Sequence, residues 1–418
     1  MTDDNSQPQV VADTRRIPVI DLARGFAILG ILVINVTTMA GPGLASGTPD
    51  WHGHAGAHDW ASFTVTWLFF EGKMRALFAT LFGVSLALFL SRGDEGARIV
   101  EQVRRLLWLA IFGYLHFALF WWGDILFTYA IAGMIALLFK NLPPSRLFIM
   151  GIGAYIFVSF AAAGQVWSTL VAAHAVHAGT ASEMEAGFVA QNAAFFAERS
   201  GMKMAEYALP FWQAVQYRMT VMPTYPFTLA SEAVFEALPL MLCGMALARS
   251  GFFTGAWPRK WLMLMAIVGA ALGLGWYGAM LAYEASQGFG IVAASLLPYR
   301  IGLIGRFLMT ASYLALIALF GAYLVRGWLG QRIAAAGRMA FSNYLGSTVV
   351  MTFLLHGWGL GLAAREYGHT ALMAFVLLGW ALIFGWSKPW LARFGIGPLE
   401  WLWRMLAGVG IRKARTAS

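Results

Sequence analysis

The chain has 418 residues, of which 59% are hydrophobic and only 12% charged, and its mean hydropathy is +0.66. That ratio excludes an ordinary soluble domain, whose surface helices need a polar face toward water; the fold class is an all-α polytopic transmembrane bundle. The net charge of +9 sits in short loops between apolar runs, as membrane orientation requires, so no nucleic-acid partner is expected. A single cysteine, Cys243, excludes an intramolecular disulfide and every cysteine-based metal pattern.

Residues 1–18 read as a polar tail without the small-residue cleavage site of a signal peptide, so the first apolar run is expected to stay as an uncleaved anchor. A hydrocarbon layer takes about 20 mostly apolar residues per helical crossing. Runs of that kind, broken by Gly, Pro and charge, predict ten spans within residues 19–390, near 19–40, 62–91, 103–122, 124–140, 146–172, 226–249, 260–284, 300–325, 340–362 and 370–388. Residues 173–225 read as an external helical segment, with Phe188, Phe195, Phe196, Phe211 and Trp212 touching lipid or the bundle. Residues 391–418 read as a cytoplasmic interfacial helix and a basic tail. In that helix Trp401 and Trp403 suit a headgroup boundary, and Glu400 and Arg404 stand four apart.

Placing the N-terminus in the cytoplasm puts 21 of the 29 Lys and Arg residues on that side. Only Arg199, Lys203, Arg218, Arg300 and Arg365 fall in loops on the other, and Lys73, Arg75 and Arg306 lie within spans. The asymmetry predicts that both termini are cytoplasmic, with the bilayer itself as the principal partner. No repeat of 20 to 50 residues and no inverted repeat is evident.

Ionisable groups inside a bilayer cost several kcal/mol, so each is a candidate for function. At about 1.5 Å per residue, His116 lies about 16 Å beyond Arg105 on its helix, past the midplane toward the outside. Asn35, the set Glu71, Lys73 and Arg75, the pair Glu232 and Glu236, then Arg306 and His356 fall at similar depth, which predicts one outward-opening polar cavity. Asp124 is expected to open the next helix at the outer surface.

Each group has a structural alternative. Asp124 after Gly123 suits a helix cap, and His116 suits a neutral histidine bonded to a carbonyl. Glu71 and Arg75 are an i,i+4 pair able to neutralise itself, while Lys73 has the reach to snorkel outward. Glu232 and Glu236 share a face, with Arg306 as their expected partner.

At the cytoplasmic end Asp21 and Arg24 form either an orienting ion pair or, with Arg15, Arg16, Arg104, Arg105 and Arg338, a basic collar for the phosphates of a donor. The loop DWHGHAGAHDW carries His52, His54 and His58, which read as solvated loop histidines or as an acid/base histidine near the cavity mouth, in preference to a metal site. No metal and no covalently bound cofactor is expected. Gly25, Gly269 and Gly273 permit close helix contact, within the chain or in a homo-oligomer.

Five stretches, IDLARGFAILGILVIN, EGKMRALFATLFGVSLAL, GYLHFALFWWGDILFTYAIAG, GRMAFSNYLGSTV and GPLEWLWR, span nearly the whole chain in order and resemble the YeiB-type family of bacterial inner-membrane proteins. Through the first-helix pattern Asp21, Arg24, Gly25 and Asn35, that family looks related to a wider transmembrane acyltransferase group. The resemblance implies transfer of an acyl group from cytoplasmic acyl-CoA, as co-substrate, to an acceptor across the membrane, with a histidine moving the proton. The chain departs from the glycan acyltransferases in lacking an early acid next to a histidine in the first span.

Three functions compete on these residues. Acyl transfer takes His116 as base, Asp124 as its orienting acid if the loop folds back, and Lys73, Arg75, Asn35 and Asn343 as polar donors. A secondary transporter uses Glu232 and Arg306 in an ion path, with Pro226, Pro239 and the glycines of GAALGLG as the hints of broken helices. A lipid-binding scaffold uses the same charges as interhelical ties.

Overall fold

The structure is a computed structural model that describes residues 17–53, 55–91 and 95–408. Arg15, Arg16 and His54 lie outside the described residues. Among those described, every regular element is helical. The first five are α1 (Pro18–Ala40), α2 (Ala57–Phe69), α3 (Lys73–Leu90), α4 (Glu95–Leu119) and α5 (Leu126–Ala136). Next come the long α6 (Pro144–His177), then α7 (Glu183–Tyr207), α8 (Phe211–Val221), α9 (Tyr225–Arg249) and α10 (Arg259–Ser286). The chain finishes with α11 (Ile291–Leu296), α12 (Leu303–Leu324), α13 (Trp328–Arg338), α14 (Ala340–Leu355), α15 (His369–Phe394) and α16 (Pro398–Leu406).

Seven stretches are long and apolar enough to cross a membrane: α1, the α2 and α3 pair, α6, α9, α10, α12 and α15. The protein is therefore a helical membrane protein. The remaining predicted spans are helical but do not meet that measure: α5 and α14 have 11 and 16 residues, and α4 opens with Arg98, Glu101, Arg104 and Arg105.

The span expected at 62–91 is two helices. Between α2 and α3 the chain turns through Gly72 at φ 71°, a left-handed conformation that glycine adopts without penalty. A Cβ there would strike the guanidinium of Arg306, so the break also needs glycine for space. The hints of broken helices resolve differently: Pro226 opens α9, Pro239 sits inside an unbroken α9 and GAALGLG lies within an unbroken α10.

Small residues set the helix crossings, because association in lipid depends on close packing more than on hydrophobic contrast. Gly25 lies against the Ile333 carbonyl while Gly337 lies against that of Asp21, which locks α1 to α13. Gly83 and Gly244 do the same between α3 and α9, each facing a carbonyl of the other helix, Met241 and Thr80 respectively. Gly269 and Gly273, whose partner the sequence left open, pack on α12 within the same chain. Gly244→Val should therefore cost about 3 kcal/mol, since overpacked cores must shift backbone. Unfolding of purified protein in detergent checks this, with Gly275→Val, whose added Cβ meets nothing within 4 Å, as the neutral control.

The bundle has two distinct ends. At one, α16 closes on α4 and α14: Trp403 Nε1 donates to the Arg105 carbonyl at 2.7 Å. Glu400 does not serve simply as the i,i+4 partner of Arg404. Its Oε1 accepts from the Phe341 and Ser342 N–H groups at 2.9 and 3.2 Å and its Oε2 from Ser342 Oγ at 2.5 Å, a carboxylate cap on the positive end of α14 supplied from another helix. At the other end, α7 and α8 dock across the termini of α1 and α4.

Candidate functional site

Five helices surround the site. In one packed cluster Ile28 and Ile31 of α1 meet Met74 of α3, Leu126 of α5 and Tyr344 of α14. Asn35 stands one helical turn beyond Ile31 on the same face. Arg75 follows Met74, and His116 projects from the last turn of α4 with its ring 5.3 Å from that of Tyr344.

The loop after α4 folds back. Asp124 is 3% exposed, not at the surface as expected, and α5 begins two residues later at Leu126. Its carboxylate does two things at once: Oδ2 accepts from the Phe127 N–H at 2.8 Å, capping α5, and Oδ1 lies 2.8 Å from His116 Nδ1. An ionised carboxylate only accepts, so Nδ1 carries the proton and Nε2 of the neutral ring is the acceptor. That Nε2 is buried with no hydrogen-bond partner. The result is a histidine held in one tautomer by an acid, with its basic nitrogen bare.

Opposite the dyad lies the helix break. Lys73 does not snorkel: it is fully buried, its ammonium donates to the Trp67 carbonyl at 2.7 Å and sits 2.9 Å from the centre of the Tyr277 ring. Glu71 and Arg75 form no ion pair with each other, since Glu71 stands in the turn before α3 and the helical i,i+4 geometry is lost. Glu71 keeps Oε2 buried without a partner. Arg306 donates to Glu236 at 2.6 Å and to the Pro298 carbonyl at 2.8 Å, while Glu232 parts from its neighbour and pairs with Arg300 at 3.0 Å near the surface. Of this group only Arg75 has a guanidinium that makes neither a hydrogen bond nor an ion pair among the described residues. It is half-buried, 5.9 Å from the Tyr299 ring.

Other candidates are structural ties. Asn343 donates to the Ala336 carbonyl and Ser387 Oγ at 3.0 and 3.1 Å and accepts from Trp386 at 2.9 Å, so its amide is satisfied within the α14 and α15 contact. His356 donates to the Met39 carbonyl at 3.0 Å and stacks on Tyr207 at 4.0 Å. His58 pairs with Asp59 at 3.4 Å and His52 lies on Trp51. Among the described residues no group of three metal-ligating side chains occurs.

Of the arginine collar, Arg15 and Arg16 lie outside the described residues. Arg24 holds Asp21 and Ser85 at 3.2 and 2.5 Å, and Arg338 donates to the Gly395 carbonyl at 3.1 Å. Arg105 is sandwiched between Phe89 and Trp403 at 4.5 and 4.4 Å. Arg104 lines a cavity of about 290 Å³ with Leu107, Trp108 and Leu406.

Sequence reasoning missed the roof. Arg218 of α8 donates to the last carbonyls of α4, Ala118, Leu119 and Phe120, at 3.1, 2.9 and 3.3 Å and pairs with buried Glu206 of α7, capping the helix that carries His116. Tyr207 Oη accepts from Trp121 and Trp122 and donates to the Thr38 carbonyl at 2.7 Å. Trp121, Trp122 and Thr38 were legible only as apolar filler and a neutral hydroxyl. Lys203 lies 3.2 Å over the Trp122 ring.

Burial pushes the Lys203 ammonium down from 10.5 to about 7, with Arg199 adding to the effect. Burial likewise pushes the Glu206 carboxyl up from 4.5 to about 7, against Arg218. Between about 7 and 10.5 the docked roof holds fewer protons at Lys203 than the undocked chain, so its stability grows as pH rises through that window and is lost as pH falls through about 7. Glu206 acts oppositely between 4.5 and about 7, where stability falls as pH rises. A stability minimum near neutrality is expected in thermal scans. Lys203→Met should flatten the alkaline limb; an unchanged limb contradicts the assignment.

Along nearly its full length the chain is similar to curated relatives. Uncharacterized protein YxaH of Bacillus subtilis (strain 168) is 29% identical over 96% of this chain and 96% of its own length. Uncharacterized protein YeiB of Escherichia coli (strain K12) is 27% identical over 94% and 98%. An uncharacterized 39.9 kDa protein in the amylase 3′ region of Bacillus acidopullulyticus is 34% identical over 37% of this chain and 42% of its own. Residues 247–409 match the family described as "Protein of unknown function (DUF418)". The chain is thus similar to these YeiB-type proteins over nearly its whole length, and its C-terminal part matches the DUF418 family. No solved structure matches. The DUF418 region holds Tyr344, Glu400 and Arg306, whereas the His116 and Asp124 dyad lies before it, in the part that only the full-length relatives cover.

Proposed function

We propose that this YeiB-type protein transfers an acyl group from acyl-CoA to a hydroxyl acceptor, and that it does so in the bacterial inner membrane with both termini cytoplasmic and with ten spans. One observation carries the reading: the buried dyad in which Asp124 holds the His116 Nδ1 proton and leaves Nε2 bare. Nε2 takes the proton of the acceptor hydroxyl as that oxygen attacks the thioester carbonyl carbon. The carbon–sulfur bond then breaks, and the thiolate of CoA leaves with the proton returned by His116. The half-buried amide of Asn35 is the donor for the carbonyl oxygen as it gains charge. Arg104 and its cavity are the place at the opposite end where donor phosphates would rest.

Purified protein in detergent, given acetyl-CoA and then longer acyl-CoA, should release free CoA slowly and bind the thioester measurably by calorimetry. The absence of both binding and release with every thioester overturns the reading.

A secondary carrier is favoured instead by one feature, the break at residues 70–72 tied through Arg306 to the π-helical turn Leu297–Ile301. Interrupted helices around buried charge are how transporters build a midplane site. Proton movement in liposomes without any thioester, sensitive to Glu236→Gln, would favour it.

A further inference from the structure

We propose that the acceptor carries an oxyanion, a phosphate or a carboxylate, held by Arg75 while its hydroxyl faces His116. This rests on the reading of the dyad as the base that activates the acceptor.

The helix break gathers five ionisable groups. Lys73 is held by the Trp67 carbonyl and the Tyr277 ring, and Arg306 by Glu236 and the Pro298 carbonyl. The cations Lys73, Arg75 and Arg306 outnumber the anions Glu71 and Glu236 by one. The cation left without hydrogen bond or ion pair is Arg75. A guanidinium within a bundle is costly to desolvate without a counter-charge, so this arrangement asks for an anion from outside the chain.

Arg75 is also fixed in place. Tyr129 Oη donates to its carbonyl at 2.8 Å, and it stands in the first turn of α3, where the helix dipole adds to a positive field. Its fork is built for two oxygens of one planar or tetrahedral anion. The second, independent mark of a ligand is the bare, buried Nε2 of His116. Tyr344 joins the two: its ring lies 5.3 Å from that of His116, and it packs in one cluster with Met74, the residue before Arg75. A ligand with an anion at one end and a hydroxyl at the other matches both unmet needs.

Such chemistry comes either on a lipid headgroup or on a free polyol phosphate. The probes are therefore dioleoylphosphatidylglycerol, dioleoylphosphatidylcholine and free glycerol 1-phosphate, titrated into the full chain in neutral detergent and read by thermophoresis and by thermal shift. The expected result is tighter binding of phosphatidylglycerol than of phosphatidylcholine. Arg75→Gln should weaken it at least about tenfold, as loss of a charged hydrogen-bond partner implies, and Arg75→Lys should weaken it less. Arg326→Gln, at an exposed arginine, should leave it unchanged. Binding of glycerol 1-phosphate identifies a soluble source, and binding of the lipid alone identifies a membrane one. Equal affinity in wild type and Arg75→Gln overturns the proposal, as does no preference for either anion. A protein that binds phosphatidylglycerol through Arg75 yet turns over no thioester would overturn the acyl-transfer reading and leave the anion site standing.

Discussion

Replacing His116 by alanine is expected to lower release of CoA from an acyl-CoA in the presence of acceptor by about 10²- to 10⁴-fold, the usual contribution of a positioned general base. Folding should survive, because His116 makes one side-chain hydrogen bond and that bond is to Asp124. Asp124 should behave differently, because it has two tasks. Asp124→Asn retains an acceptor for the Phe127 N–H but no longer fixes the imidazole tautomer, so turnover should fall with little change in melting. Asp124→Ala removes the cap as well and should lose about a further 1 kcal/mol of stability. Parallel assays of turnover and thermal unfolding separate the cases. Wild-type turnover in His116→Ala would show that the base lies elsewhere.

The largest loss of stability is expected from Arg218→Ala, at about 3 to 5 kcal/mol, the range seen when one partner of a buried ion pair is removed. Glu206 is 1% exposed and would be left buried without its hydrogen-bonded partner, and three terminal carbonyls of α4 would lose their donor. Arg218→Lys retains charge without the fork and should fall between. Adding Glu206→Gln to Arg218→Ala should recover part of the loss, since the buried ionisable group left without its partner goes too. Chemical unfolding of wild type, Arg218→Ala, Glu206→Gln and the double variant gives the cycle. A loss in Arg218→Ala that the second change leaves untouched would place the energy in the α4 cap alone. Because α4 carries His116, the same variants should also lower turnover by moving the dyad.

Much of the architecture follows from composition and order along the chain. Apolar runs broken by basic loops specify a helical membrane protein whatever the packing, because backbone groups in lipid must bond within their own helix. The same reasoning marks His116, Asp124, Glu71, Lys73, Arg75 and Arg306 as unusual from their cost alone. It places His116 and Asp124 on successive helices with about 8 Å of rise between their positions.

Which groups meet is decided by tertiary structure. Periodicity gives the face of a helix, and it does not say whether a connecting loop doubles back, as the one before Asp124 does, or whether a glycine in an apolar run breaks it, as Gly72 does. Those two events bring Asp124 onto His116 and separate Glu71 from Arg75. Asn343 and His356 looked equivalent to the site residues because depth was the only coordinate available; their carbonyl and hydroxyl partners on other helices satisfy them. Arg218 read as one external charge, and only its docking onto α4 makes it the cap over the dyad. Sequence alone thus determines which residues are expensive to bury, since that cost is local to each side chain. The fold determines which of them are compensated, since compensation comes from partners as far away in the chain as Ala118 is from Arg218.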